Sequence, residues 1–251
     1  MIQPRRYLAQ AQLALMLLTR LPAGELPAPA PSRAQARWAF ALGGLVAGAL
    51  GWAAQHGALG LGLSPMVGAW LALGVMALVT GALHHDGLAD YADGMGGGRD
   101  RAHVLEIMRD SRIGSYGVLA LVLVLALMAS ALASFPAGAP LAVFLFAATG
   151  SRLSMALVLA LLPPARPDGL GQSAAGARGW GWLWPGALVL VLLGLGLGLA
   201  ALVALGVMGL AAFLAARVAM ARIGGQTGDV LGAVQILSEM AALLVLAAML
   251  G

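Results

Sequence analysis

The run His84-His85-Asp86-Gly87-Leu88-Ala89-Asp90-Tyr91-Ala92-Asp93 places three carboxylates at positions i, i+4 and i+7. On a helix, at about 100° per residue, they fall within an arc of about 60° and share one face. Two such charges ~6 Å apart repel by about 2–3 kcal/mol at an effective dielectric of 20. Arginines can neutralise the face, some carboxylates can keep their protons, or a divalent cation can bind. Hard oxygen ligands suit Mg²⁺, with Mn²⁺ as an alternative, and such ions take one or two carboxylates plus substrate phosphates. A solvated acidic helix end is the plainer reading. One of the histidines could serve as general base or ligand, and is otherwise simply interfacial. Gly94 and Gly96–Gly98 are expected to break the helix, leaving amides for a phosphate cradle or merely a turn. Beyond them, in Arg109-Asp110-Ser111-Arg112, two arginines flank an acid: a phosphate clamp in which Asp110 orients an arginine, or a basic membrane anchor with local ion pairs.

Six of the ten acidic residues lie between Asp86 and Asp110; Asp168, Asp229 and Glu239 come later, and Glu25 earlier. Arg152 and Glu239 fall inside long apolar runs, where a charge costs ~2.5–3.5 kcal/mol and faces the bundle interior with a partner. Both are therefore candidate site residues.

The elements that position these groups are membrane helices. The 251 residues are 61% hydrophobic and 10% charged, against roughly 25% charged in soluble domains, and the mean hydropathy is +0.92. All fourteen cations are arginine, which suits anionic ligands but also follows from an Ala- and Gly-rich composition. Cysteine is absent, so no thiol nucleophile is available. The apolar runs predict about seven transmembrane helices, near 38–60, 65–83, 116–134, 141–162, 183–202, 204–222 and 231–250, in one all-α integral membrane domain over 1–251. The turn between the fifth and sixth is expected near Ala204–Gly206. Gly44 and Gly48 allow close helix approach. Arg5, Arg6 and Arg20 bracket an N-terminal segment that reads as an interfacial helix rather than a signal peptide. Basic and neutral connections alternate, which puts 84–115, 163–182 and 223–230 together on the cytoplasmic side, with 84–115 as the catalytic segment.

These residues resemble the cobalamin synthase, or adenosylcobinamide-GDP ribazoletransferase, family. The likeness is carried by the His84–Gly94 run, by Leu105-Glu-Ile-Met-Arg109-Asp-Ser-Arg112-Ile-Gly114, and by Leu18-Thr-Arg20-Leu-Pro22. Gly150-Ser-Arg152, Ala165-Arg166-Pro-Asp168-Gly-Leu-Gly171 and Gly224-Gly-Gln-Thr-Gly-Asp229-Val-Leu-Gly-Ala233 extend it over most of the chain. His85, Tyr91, Gln235 and Ser238 depart from the usual pattern.

The resemblance implies transfer of a cobinamide phosphate from adenosylcobinamide-GDP to α-ribazole or α-ribazole 5′-phosphate, with GMP released and Mg²⁺ present. Asp86, Asp90 and Asp93 would hold the metal, with one of them or His84 as base. Arg109, Arg112 and Arg166 would hold phosphates, and Arg152, Asp110, Asp229 and Glu239 are placed in the same substrate-phosphate-binding group. Asp229 would be a further ligand or orient an arginine. The implied location is a bacterial inner membrane with the site facing the cytoplasm. The bilayer is its solvent, no nucleic acid is a partner, and a homo-oligomer is compatible. A CDP-alcohol phosphotransferase fits less well, because its motif Asp-x-x-Asp-Gly-x-x-Ala-Arg would need Ala-Arg where this chain has Gly97-Gly98. A secondary transporter would need midplane sites in matched repeats, and no repeat is visible.

Overall fold

In hydrocarbon every backbone polar group must be satisfied within its own segment, which leaves helices as the natural solution for so apolar a chain. A computed structural model describes residues 4–167 and 179–251, and all regular elements within them are helical apart from one isolated bridge between Pro164 and Gln226. Asp168 and Arg178 lie outside the described residues. The helices are α1 (Pro4–Leu18), α2 (Arg33–Ala36), α3 (Phe40–Gly60), α4 (Pro65–Thr80), α5 (Leu83–Gly97), α6 (Arg101–Ile107), α7 (Ser115–Ala133), α8 (Leu141–Leu161), α9 (Trp184–Leu197), α10 (Leu199–Ile223) and α11 (Gly228–Leu250). Ser64, Asp100 and Thr227 cap α4, α6 and α11 by accepting the backbone N–H three residues on.

Among the described residues five stretches have the length and composition to cross a bilayer: Arg33–Gly60, α7, α8, α10 and α11; α4 and α5 taken together would make a sixth. These do not reach the expected count of about seven. α9 has 14 residues, about 21 Å at 1.5 Å per residue, short of the ~30 Å of hydrocarbon. The turn expected near Ala204–Gly206 is not there either. The chain breaks at Gly198, whose φ of 59° and ψ of −135° favour glycine, and α10 then runs unbroken through 204–206.

α8 and α11 form the centre of the bundle, and α7 and α10 present leucine-rich faces outward. α3 lies tightly on α8: a Cβ at Gly44 would stand 2.5 Å from the Ala148 carbonyl oxygen, so the small residue is what permits the contact.

α5 departs from this pattern. Gly81 and Ala82 both adopt left-handed conformations, and the chain turns by 93° between α4 and α5. α5 then crosses one end of the bundle. The Tyr91 hydroxyl donates to the Ala215 carbonyl of α10 at 3.0 Å, and Arg222 donates to the carbonyls of Met95 and Gly98. Arg101 donates to Ile223 at 2.9 Å and to Ala165 at 2.8 Å. Segments 84–115, 163–167 and 223–230 thus meet at one end, as the alternation of basic and neutral connections requires. At the other end Gln55 receives the Ala139 amide at 2.9 Å and donates to Leu132 at 3.1 Å.

Candidate active site

The acidic face of α5 exists as expected, but its three carboxylates meet different surroundings. Asp86 is exposed, Asp90 half-buried and Asp93 buried. Asp93 accepts the Gly114 amide at 2.7 Å and the Gly117 amide at 2.9 Å, one on each oxygen. It thereby caps the N-terminus of α7, where free amides and the helix dipole favour an anion. A Cβ at Gly114 or Gly117 would stand 2.4 Å from a carboxylate oxygen, so both glycines belong to the same device.

The glycine run does not break the helix after Asp93: α5 continues to Gly97. Instead Gly94 receives the Met108 side chain and Gly96 the Tyr116 ring, and these close approaches seat α6 and α7 against α5.

The partner of Asp86 and Asp90 is Asp229, at the start of α11. α5 and α11 cross where Gly87 faces Gly232; a Cβ on Gly87 would lie 3.1 Å from the Gly232 Cα and from the Asp229 carbonyl oxygen. That contact brings the Asp229 carboxylate into the electrostatic field of Asp86 and Asp90. Burial, followed by the charges of Asp229, Asp86 and Asp93, pushes the Asp90 carboxyl up to about 7, and Arg166 pulls it the other way. Arg166 stands 3.9 Å from Asp229 and donates to the Leu105 carbonyl at 3.0 Å. The Thr227 hydroxyl donates to Asp229 at 3.2 Å.

Among the described residues no three carboxylates or histidines converge as a ready-made metal cage. The group nonetheless carries more negative charge than Arg166 offsets. That suits an ion which uses one or two protein carboxylates and completes its shell with phosphate oxygens and water, as Mg²⁺ does. On the donors present, a divalent cation fits.

Asp86 and Asp229 border a cleft of about 160 Å³ whose other walls come from α1, α3 and α8. Arg33 also lines it, a residue that sequence reasoning used only for topology. The basic segment before α7 lies at the same end of the bundle. Asp110 grips Arg112 with contacts of 2.6–3.1 Å, and this hydrogen bonding holds the Asp110 carboxyl down to about 2. Arg109 and Arg112 are exposed.

Arg152 and Glu239 are not in the cleft. They pair with each other at 3.0 Å, each about 3% exposed. Arg152 also donates to the Ala148 carbonyl at 3.0 Å, and Gln235 donates to Glu239 and to Ser151. A hole of about 10 Å³ beside the pair is lined by His84, His85, Gln235 and Glu239. His84 is buried and borders both spaces, so the pair sits directly behind the first turn of α5.

Comparison with known proteins gives the frame for this geometry. The family model described as Cobalamin-5-phosphate synthase matches residues 10–247. An adenosylcobinamide-GDP ribazoletransferase of Bradyrhizobium diazoefficiens is 45% identical over 97% of this chain and 95% of its own. Proteins of the same name from Azorhizobium caulinodans (45% identical, 95% of each chain) and Mesorhizobium japonicum (42%, covering 97% and 95%) are similar throughout. No solved structure matches the chain. With a family model spanning nearly the whole length, and relatives this similar across a helical bundle with one acidic end, the chain belongs to the cobalamin-5-phosphate synthase family.

Proposed function

We propose that this protein is a membrane transferase that joins adenosylcobinamide-GDP to α-ribazole, or to α-ribazole 5′-phosphate, with release of GMP. A free ribose hydroxyl of the acceptor, away from the 5′ position that carries phosphate in α-ribazole 5′-phosphate, attacks the phosphorus that carries the cobinamide. A new phosphorus–oxygen bond forms, the bridge to GMP breaks, and the hydroxyl proton passes to a base. The observation that carries the reading is the grouping of Asp86, Asp90, Asp229 and Arg166 beside a cleft at the polar end of the bundle.

A divalent cation, Mg²⁺ or Mn²⁺, would be held by Asp86 and Asp229 with Asp90 adjacent; when bound, it supplies charge neutralisation on the transferred and leaving phosphates. Asp93 keeps the metal-binding face in position through α7 rather than by donating to the ion. Arg166, anchored to Leu105 and Asp229, places its positive charge beside the transferred phosphates. Arg112, oriented by Asp110, and Arg109 are exposed at the same end of the bundle and attract the anionic donor. Asp90, with its raised affinity for a proton, is the favoured base over the buried His84. The arginine alternation supports a bacterial inner membrane location with this end facing the cytoplasm.

The test is an assay of membranes containing the protein with adenosylcobinamide-GDP, α-ribazole and Mg²⁺. GMP and the joined product should form in equal amounts. Hydrolysis of the donor without joining, or no GMP release, would sink the reading.

A further inference from the structure

The cleft beside the acidic group is small and one-sided. Away from Asp86, Asp229, Arg33 and the buried His84, its walls are Leu17 and Leu18 of α1, Phe40 of α3, Met155 and Leu159 of α8, and Leu231 of α11. At about 160 Å³, it matches the ~150 Å³ apolar cavity that accommodates a benzene-sized ring. It is well below the 300 Å³ or more of pockets that enclose larger ligands. With its open mouth it takes a one- or two-ring aromatic, not a corrin macrocycle.

Taking the transfer reaction above as given, two aromatic bases compete for the space: guanine on the donor and the base of the acceptor. Guanine presents several donors and acceptors around its edge. Buried against leucine, methionine and phenylalanine, those groups would go unmatched, and a buried unpaired polar group is strongly disfavoured. A dimethylbenzimidazole, as in α-ribazole, presents an apolar edge and two methyl groups and satisfies the same walls. We infer that this chamber is the acceptor-base pocket. The aromatic base lies among Leu17, Leu18, Phe40, Met155 and Leu159, and the attached ribose reaches the Asp86–Asp229 end, where its attacking hydroxyl meets the donor phosphate. The N-terminal helix, read from sequence as an interfacial element, then forms one wall of a specificity site. The donor, excluded by size, approaches from the arginine side.

The experiment separates the two substrates kinetically in membranes containing full-length protein. Leu17→Trp narrows the chamber from α1, and Met155→Ala widens it from α8. Leu17→Trp should raise KM for α-ribazole by about ten-fold or more, since one misplaced group in an apolar pocket is worth about that much. KM for adenosylcobinamide-GDP should stay within roughly two-fold, because the substitution leaves the acidic group untouched. The α-riboside of unsubstituted benzimidazole, which lacks the two methyl groups, should be penalised less. Met155→Ala should also weaken α-ribazole selectively while narrowing its advantage over a bulkier base; if Leu17→Trp fails to accumulate, this variant decides. A rise in the donor KM instead would place the donor in the chamber, and unchanged KM values for both would leave it to a lipid chain; either overturns the inference. Failure of the underlying transfer reading would look different, as absence of GMP release from the unaltered protein.

Discussion

The sharpest consequence of the structure concerns Asp93, because sequence and structure give it different work. If it anchors α7, Asp93→Asn should damage stability more than metal use. The substitution keeps the size but leaves one good acceptor where two amides, Gly114 at 2.7 Å and Gly117 at 2.9 Å, now donate. Losing a charge-assisted bond at a buried site costs about 1.5–3 kcal/mol. Losing the anion at a helix N-terminus adds about 0.3–1 kcal/mol. Relief of repulsion with Asp90 returns part of this, so a net loss of about 2–3 kcal/mol is expected. For a chain of this length that lowers the melting midpoint by roughly 4–12 °C. The assay is thermal unfolding of the protein in one detergent, paired with Mg²⁺ titration of GMP release. Asp86→Asn, at an exposed position, should melt within about 1 °C of the parent yet lose at least ~100-fold in turnover. An Asp93→Asn protein with the parent's melting midpoint and a raised Mg²⁺ requirement would refute the anchor and return Asp93 to the metal.

Arg152→Leu should destabilise by about 3–5 kcal/mol because it strands Glu239 in the bundle, and adding Glu239→Leu should recover much of that loss; additive damage in the double variant would mean the two charges act independently. Turnover should fall about ten-fold per pH unit as pH drops below the Asp90 value of about 7, since Asp90 must lose its proton to act as base; GMP release measured from pH 5.5 to 8 reads this, and a flat profile would remove Asp90 as the base. Because the chain has no native cysteine, Ser111→Cys and Ala137→Cys can be labelled singly, and the two should react from opposite sides of the membrane; labelling from one side would mean that α7 does not cross.

The helical class, the polar end and the three-acid face can be read from the sequence because each rests on local periodicity or charge alternation. Hydropathy has no access to backbone torsion, so it points to a turn in the middle of α10 when the break is at one glycine of positive φ, Gly198. The i, i+4, i+7 spacing correctly put Asp86, Asp90 and Asp93 on one face. It could not say what each would meet, because Asp93's partners are 21 and 24 residues away and are backbone amides. Asp229 was visible as an acid in a polar loop. Its meeting with Asp86 depends on two unremarkable glycines, Gly87 and Gly232, that let α5 and α11 touch.

The buried ion pair connects these observations. Arg152 and Glu239 sit too deep to reach the cleft, yet they border the same histidine turn that opens α5. Two of the positions at which this chain departs from its family pattern, His85 and Gln235, line the same small hole, and Gln235 donates to Glu239. α5 makes few contacts with α4, from which it turns by 93°; its direction is set by its packing on α11 and α7. Asp93 holds one end to α7, and the polar group around Arg152 packs behind the other, with the Gly87–Gly232 crossing between them. A metal-binding face needs its carboxylates held within about 0.5 Å of a productive arrangement. In the proposed reaction that rigidity comes from Asp93 on α7 and from the buried Arg152–Glu239 pair behind His84.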